Sequence, residues 1–229
     1  MGRNNDTFLS DAKNSCRLGN LKAVLESKEL LDPTNPILRC DWCELMGESG
    51  VETLRMLESR KFLRPGGFVG IDTDELRIDR LQSERPDLKW VSGDLFTKVG
   101  VLCEFDIGVL NIDGYGQVGS EAIWSKLSTL TPLIQSGIRK FGTFVLFLNK
   151  DLDSVTRRKE RPSIALRRHV DIVCKSFSSL PFPLSPDKIL PSGVENMIDS
   201  PKFTGTVGGF EIYKSHSRAK RMANLRLSF

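Results

Sequence analysis

The chain is expected to fold as an α/β protein, a mostly parallel sheet with helices on both faces. Three observations carry this reading. Apolar runs of strand length alternate about five times with stretches whose apolar residues recur at helical spacing. Two of those runs, FDIGVLNID and GTFVLFLN, are apolar almost throughout, as strands buried on both faces are. With 229 residues, of which 39% are hydrophobic, the chain is long enough for one well-buried core and short for two domains.

The elements follow in order. Residues 1–36 are expected as an N-terminal helical segment, with LKAVLESKELL at helical spacing and the two prolines of DPTNP ending it. ILRCDWCEL is the first strand and VETLRMLESRKFL the next helix, with Val51, Leu54, Leu57 and Phe62 on its inner side. After the turn RPGG come the strand FVGID, the helix ELRIDRLQSERP and the strand LKWVSGD. The apolar strand FDIGVLNID leads to the helix SEAIWSKLSTLTPLIQSGIRKF and then to GTFVLFLN. Beyond Asp151 the pattern weakens. DSVTRRKERPSIALRRHVDIVCKSF is helical in part, the four prolines of LPFPLSPDKILPSG predict a loop, and GGFEIYKSH restores a strand. The main domain is thus expected over 37–215, with an irregular insertion at about 178–206 and a basic C-terminal tail at 216–229.

Composition excludes several classes. No apolar run approaches the roughly 20 residues of a bilayer-crossing helix, so no membrane partner is expected. The polar start MGRNNDTFLSDAK does not read as a secretory leader. Five cysteines, an odd number at low density, fit a reducing, cytoplasmic setting. Cys40 and Cys43 form a C-x-x-C, but His169 and His216 do not supply a second ligand pair, so no metal is expected and the cysteines read as strand residues. Charge is divided unevenly: residues 1–113 hold 15 basic and 20 acidic side chains, residues 114–229 hold 18 and 9. A basic second half suits a polyanion such as nucleic acid, and equally a solvated basic surface. The clusters RRKER at 157–161, Arg167 with Arg168, and SRAKRMANLR at 217–226 are the candidate phosphate contacts.

In an open parallel sheet, ligands bind beyond the carboxyl ends of the strands, where strand order reverses. Those ends read Glu44 with Gly47 and Gly50, then Asp72, Asp94, Asp113 and Asn149. Glycines at 47 and 50 let the backbone turn and a ligand approach it. Asp72 is placed to accept hydrogen bonds from ribose hydroxyls, while DTDE ahead of a helix is also a cap cluster in which Thr73 or Asp74 serves as the cap. Asp94 is a candidate acceptor for an amino group, with Leu95 or Phe96 packing on a planar ring.

These strand ends, ELMGESG, GIDTD, SGDLF and FDIGVLNIDGYG, resemble those of the class I S-adenosylmethionine-dependent methyltransferases over roughly residues 37–149. The resemblance implies a Rossmann-like sheet with S-adenosylmethionine as cofactor. It implies Glu44, Gly47, Gly50, Asp72, Asp94 and Leu95 as cofactor-binding residues. Asp113 would be catalytic, with Asn111, Tyr115 and Gln117 as substrate-binding residues beside it. The turn carries two glycines where the family has three. IDGYG shares the acid and aromatic of enzymes that methylate exocyclic amines of DNA bases but lacks their two prolines, and the cysteine of cytosine C5 enzymes is absent from it. A weaker likeness to ribose 2′-O-methyltransferases implies a catalytic tetrad of Lys22, Asp113, Lys150 and Glu211; lysines on helices and a glutamate on an edge strand are otherwise surface residues. The function expected is methyl transfer to RNA or DNA. Small-molecule methyl transfer and a non-catalytic binding subunit of the same fold are the alternatives.

Overall fold

The computed structural model describes residues 11–112, 126–152, 161–181, 184–215 and 220–229. Strand β1 (Asp41–Leu45), helix α2 (Glu48–Ser59), β2 (Phe68–Asp72), α3 (Glu75–Glu84) and β3 (Lys89–Ser92) follow the leading helix α1 (Asp11–Glu26). Then come α4 (Val99–Leu102), β4 (Ile107–Ile112), α5 (Thr131–Phe141), β5 (Val145–Asp151) and α6 (Pro162–Ser176). The chain continues with α7 (Pro186–Ile189), α8 (Glu195–Asp199), β6 (Gly205–Val207), β7 (Phe210–Ser215) and β8 (Lys220–Ser228).

All eight strands belong to one sheet in the order β3-β2-β1-β4-β5-β8-β7-β6. The five from β3 to β5 are parallel, and β8 enters antiparallel between β5 and β7. This is the expected α/β, Rossmann-like sheet. Strand order reverses between β1 and β4, and that switch point fixes where a ligand crevice belongs. Because side chains alternate along a strand, each strand feeds two cores. Trp42, Phe68, Val109, Val145 and Phe147 pack with Leu21 and Val24 of α1 and Leu54 and Leu57 of α2. Cys43, Val69, Ile71, Leu110 and Leu146 pack on the other face with Leu133 and Ile134 of α5 and Leu166 and Val170 of α6.

Two expectations are corrected. The stretch 216–229, read as a basic tail, contains β8, which pairs for seven residues with β5 and for six with β7. Ala223, Leu225 and Leu227 face one core, while Asn224 and Arg226 lie under α1, held by Asn20. The insertion at 178–206 holds α7, α8 and the start of β6, and Ile189, Leu190 and Ile198 join the core. Long-range polar ties hold it there. Arg167 donates to the carbonyls of Leu190 and Pro191, buried Arg221 to those of Ile198 and Ser200, and Asp199 caps the start of α6 by accepting from the Ser163 amide and hydroxyl. No sequence pattern foretells partners 20 to 40 residues away.

Below the sheet, at its amino-terminal edge, Asp41 is fully buried and accepts from Arg64 at 2.8 Å and Lys89 at 2.5 Å. Arg64 and Lys140 also hold Asp106, whose carboxyl the Lys140 hydrogen bond keeps below the usual carboxylate range. This ionic cluster lies at the end of the strands opposite the crevice, where a role in stability is expected rather than one in ligand binding.

Cys40 and Cys43 are free and buried, and they belong to opposite cores. Burial pushes the Cys40 thiol up to about 12 and raises that of Cys43 as well. Since the thiolate is the reactive form, neither should react with a thiol reagent at pH 8 in the native protein, and both should react at once in denaturant. Rapid native labelling of either residue would contradict their placement. Among the described residues no group of histidine, cysteine and acidic side chains could hold a metal ion, and no helix is long and apolar enough to cross a membrane.

Candidate active site

The turn after β1 explains its two glycines separately. A Cβ on Gly50 would lie 2.8 Å from the Leu45 carbonyl oxygen and 3.0 Å from the Met46 sulfur, so this glycine lets α2 start close against β1. A Cβ on Gly47 would meet nothing within 4 Å, so its backbone lies open. Gly47 is also the N-cap of α2, and it supplies no capping side chain. The first amides of this 12-residue helix therefore face the crevice side of β1 without a side-chain acceptor from the cap, in the dipole field that favours anionic groups.

Glu44 is fully buried. Its carboxylate accepts from Trp42 Nε1 at 2.8 Å, from Asn111 Nδ2 at 2.8 and 3.0 Å, and from Thr53 Oγ1 at 3.3 Å. Three donor groups thus make four contacts with a carboxylate that has two oxygens to accept them. Glu44 therefore ties β1, α2 and β4 together under the switch point, and Asn111, expected beside the substrate, is its principal partner.

At the end of β2, Asp72 accepts from Arg77 Nη1 at 2.5 Å and from the Asp74 amide at 3.0 Å. The same Arg77 nitrogen donates to the Met46 carbonyl at 3.0 Å. One guanidinium thus bridges the turn after β1 and the turn after β2, across the position where Asp72 was expected to meet ribose hydroxyls. Asp74 is the cap of α3, accepting from the Arg77 amide at 3.1 Å, which resolves the cap question left open by DTDE. Asp94 folds its own turn by accepting from the Phe96 amide at 2.8 Å. Leu95, expected against a ligand ring, is 4% exposed and part of the core, whereas Phe96 is half-buried with Lys126 Nζ 5.9 Å from its ring centre.

Asp113, Tyr115 and Gln117 lie outside the described residues. Of the tetrad positions, Lys22 is exposed on α1. Glu211 pairs with Arg226 against α1 at Gly19, where a Cβ would collide with that pair. Burial raises the Glu211 carboxyl above its usual range, while Arg226 acts in the opposite direction. The register sets position 150 opposite Ala223, one step beyond the row Asn149, Asn224 and Glu211. Three basic residues expected on phosphates are likewise committed inside the protein: Arg167, Arg221 and Arg226.

Sequence reasoning missed Arg77, which LRIDR shows only as a helical charge, and it missed the polar row under α1. The sequence signal for that row was the period-two pattern Ala223, Leu225, Leu227 with Asn224 and Arg226 between them.

No protein-family model and no curated protein matches this chain. Among solved structures it is similar to Aeropyrum pernix fibrillarin in complex with natively bound S-adenosyl-L-methionine, at 15% identity and a TM-score of 0.40, over 90% of this chain and 74% of that one. A TehB-like SAM-dependent methyltransferase from Corynebacterium glutamicum gives 12% identity and a TM-score of 0.38, over 93% and 95% of the two chains. With scores this low, the fold rests on the strand order itself, and no residue's role is taken from either structure.

Proposed function

We propose that this chain is an S-adenosylmethionine-dependent methyltransferase of class I type, acting on RNA or DNA. The observation that carries the reading is the switch point between β1 and β4, flanked by the open Gly47 backbone heading α2 and by acids at the ends of β2 and β3. An α/β sheet offers a nucleoside-bearing ligand this place.

The residues fit such a cofactor in part. The α2 amides suit its carboxylate, and the Asp72 carboxylate suits its ribose hydroxyls once Arg77 has moved from it. Glu44 supports the turn from below and leaves direct contact to the backbone of 46–48. Bound there, S-adenosylmethionine would supply a methyl carbon activated by a positively charged sulfur. Methyl transfer is an in-line displacement, so the protein's work is to align the acceptor, exclude water and take up its proton. Asp113, which follows the last residue of β4, is the residue assigned that proton.

A specific observation favours a second reading. The Arg77 bridge closes Asp72 off with protein groups, as in a methyltransferase-fold subunit that no longer binds the cofactor. Calorimetry with S-adenosylmethionine separates the two, because neither heat nor thermal shift at millimolar ligand would sustain the second reading and remove the first. Transfer of labelled methyl to bulk nucleic acid, abolished by Asp113→Ala, is the expected result for the first. Labelling of metabolites alone would move the acceptor to the small-molecule class.

A further inference from the structure

Among the described residues, three carboxamide oxygens on the α1 face of the sheet have no hydrogen-bond donor: Oδ1 of Asn111 on β4, of Asn149 on β5 and of Asn224 on β8. Their residues are 3%, 4% and 0% exposed. Buried polar atoms are nearly always paired, so three orphans on three adjacent strands call for an explanation. Two of the amide orientations are fixed by their neighbours. Asn111 Nδ2 donates to both oxygens of Glu44, and Asn224 Nδ2 donates to Asn20 Oδ1, which is itself held as an acceptor by Arg226 Nε. Turning either amide over would set oxygen against oxygen.

The register makes this a row. Asn149 and Asn224 are direct partners across β5 and β8. Ile112 pairs with Leu148, so Asn111 is the diagonal neighbour of Asn149 on the same face. Each lies within two residues of the carboxyl end of β4 or β5, or beside it, on the crevice side of the sheet.

What is missing is donors. A hydroxyl brings one hydrogen and lone pairs of its own, which three carbonyl oxygens do not suit, whereas a primary amino group brings two N–H donors and an ammonium three. We propose that this row receives a primary amino group and so positions the amine of the methyl acceptor. The second clause rests on the methyltransferase reading; the amine site does not.

The test measures binding without cofactor, by thermal shift and calorimetry on the full chain with adenosine, cytidine, uridine and n-butylamine, and measures S-adenosylmethionine binding separately. Binding of adenosine or cytidine with none of uridine supports the proposal with a nucleobase amine as source; binding of butylamine alone supports it with an alkylammonium as source. In either case Asn149→Leu should weaken amine binding at least tenfold. The same variant should raise the melting temperature of the free protein by about 2–4 °C, because it removes a buried group that lacks a partner. A residue with a purely structural role would lower it. Should the leucine variant fail to fold, Asn149→Ser, which shortens the side chain but keeps an oxygen, should give an intermediate loss of affinity. The proposal is overturned if no amine binds, if uridine binds equally well, or if Asn149→Leu and Asn149→Ser leave affinity unchanged. Ordered waters satisfying all three oxygens in a high-resolution structure with amine present would overturn it too. Loss of S-adenosylmethionine binding alone would remove the methyltransferase reading and leave the amine site standing.

Discussion

Asp41→Ala is expected to lower the stability of the protein by about 3–5 kcal/mol, the cost of breaking a buried ion pair from one side. The substitution strands Arg64 and Lys89, which hold Asp41 at 2.8 and 2.5 Å, and removes the acceptor of the Asp106 amide at 3.2 Å. Urea denaturation followed by tryptophan fluorescence measures it, since Trp42 is the next residue along β1. Replacing Asp41 and Lys89 together by apolar residues should cost less than the single change, because fewer charges are left without partners. A loss under 1 kcal/mol for Asp41→Ala would show that the cluster is solvated and contributes little. Ligand affinity should be unaffected at temperatures where the variant is folded, because the cluster and the crevice lie at opposite ends of the strands.

The second large effect concerns Asp72. If S-adenosylmethionine binds as proposed, Asp72→Ala should raise its Kd by roughly 10- to 100-fold, the loss of hydrogen bonds from a charged acceptor to two hydroxyls. Arg77→Ala should act in the opposite direction. The native arginine must leave the carboxylate before a ribose can take its place, so its removal should tighten binding by about two- to fivefold, the modest worth of a partly exposed ion pair. Calorimetry on the two variants gives both numbers. Weaker binding in Arg77→Ala would show that the guanidinium contacts the ligand, and unchanged binding in both would place the nucleoside elsewhere.

Much of the fold could be read from the chain. Strands buried on both faces announce themselves, and β4 and β5 did so through IGVL and VLFL, with the alternation of elements giving the parallel half of the sheet. The antiparallel half was harder, because β8 carries Asn224 and Arg226 into a buried setting that only α1, some 200 residues away in sequence, makes tolerable. Polarity there looked like a solvated tail.

The candidate site divides in the same manner. Positions were legible: strand ends, glycines and the capping acid all follow from local rules. Partners were not. Glu44 looked like a ligand contact because Asn111 is 67 residues further on, and Asp72 looked free because Arg77 five residues later reads as one more charge on a helix. A pattern places a side chain on an edge, while what it bonds to there depends on which other segments the topology brings alongside.

The position of β8 has a consequence for how the protein is made. The β6 and β7 strands join the parallel half of the sheet only through β8, so this portion cannot dock until residues 220–228 have left the ribosome. Until then β5 presents a bare, highly apolar margin to solvent, and chaperone capture of the nascent chain should be sought in that interval.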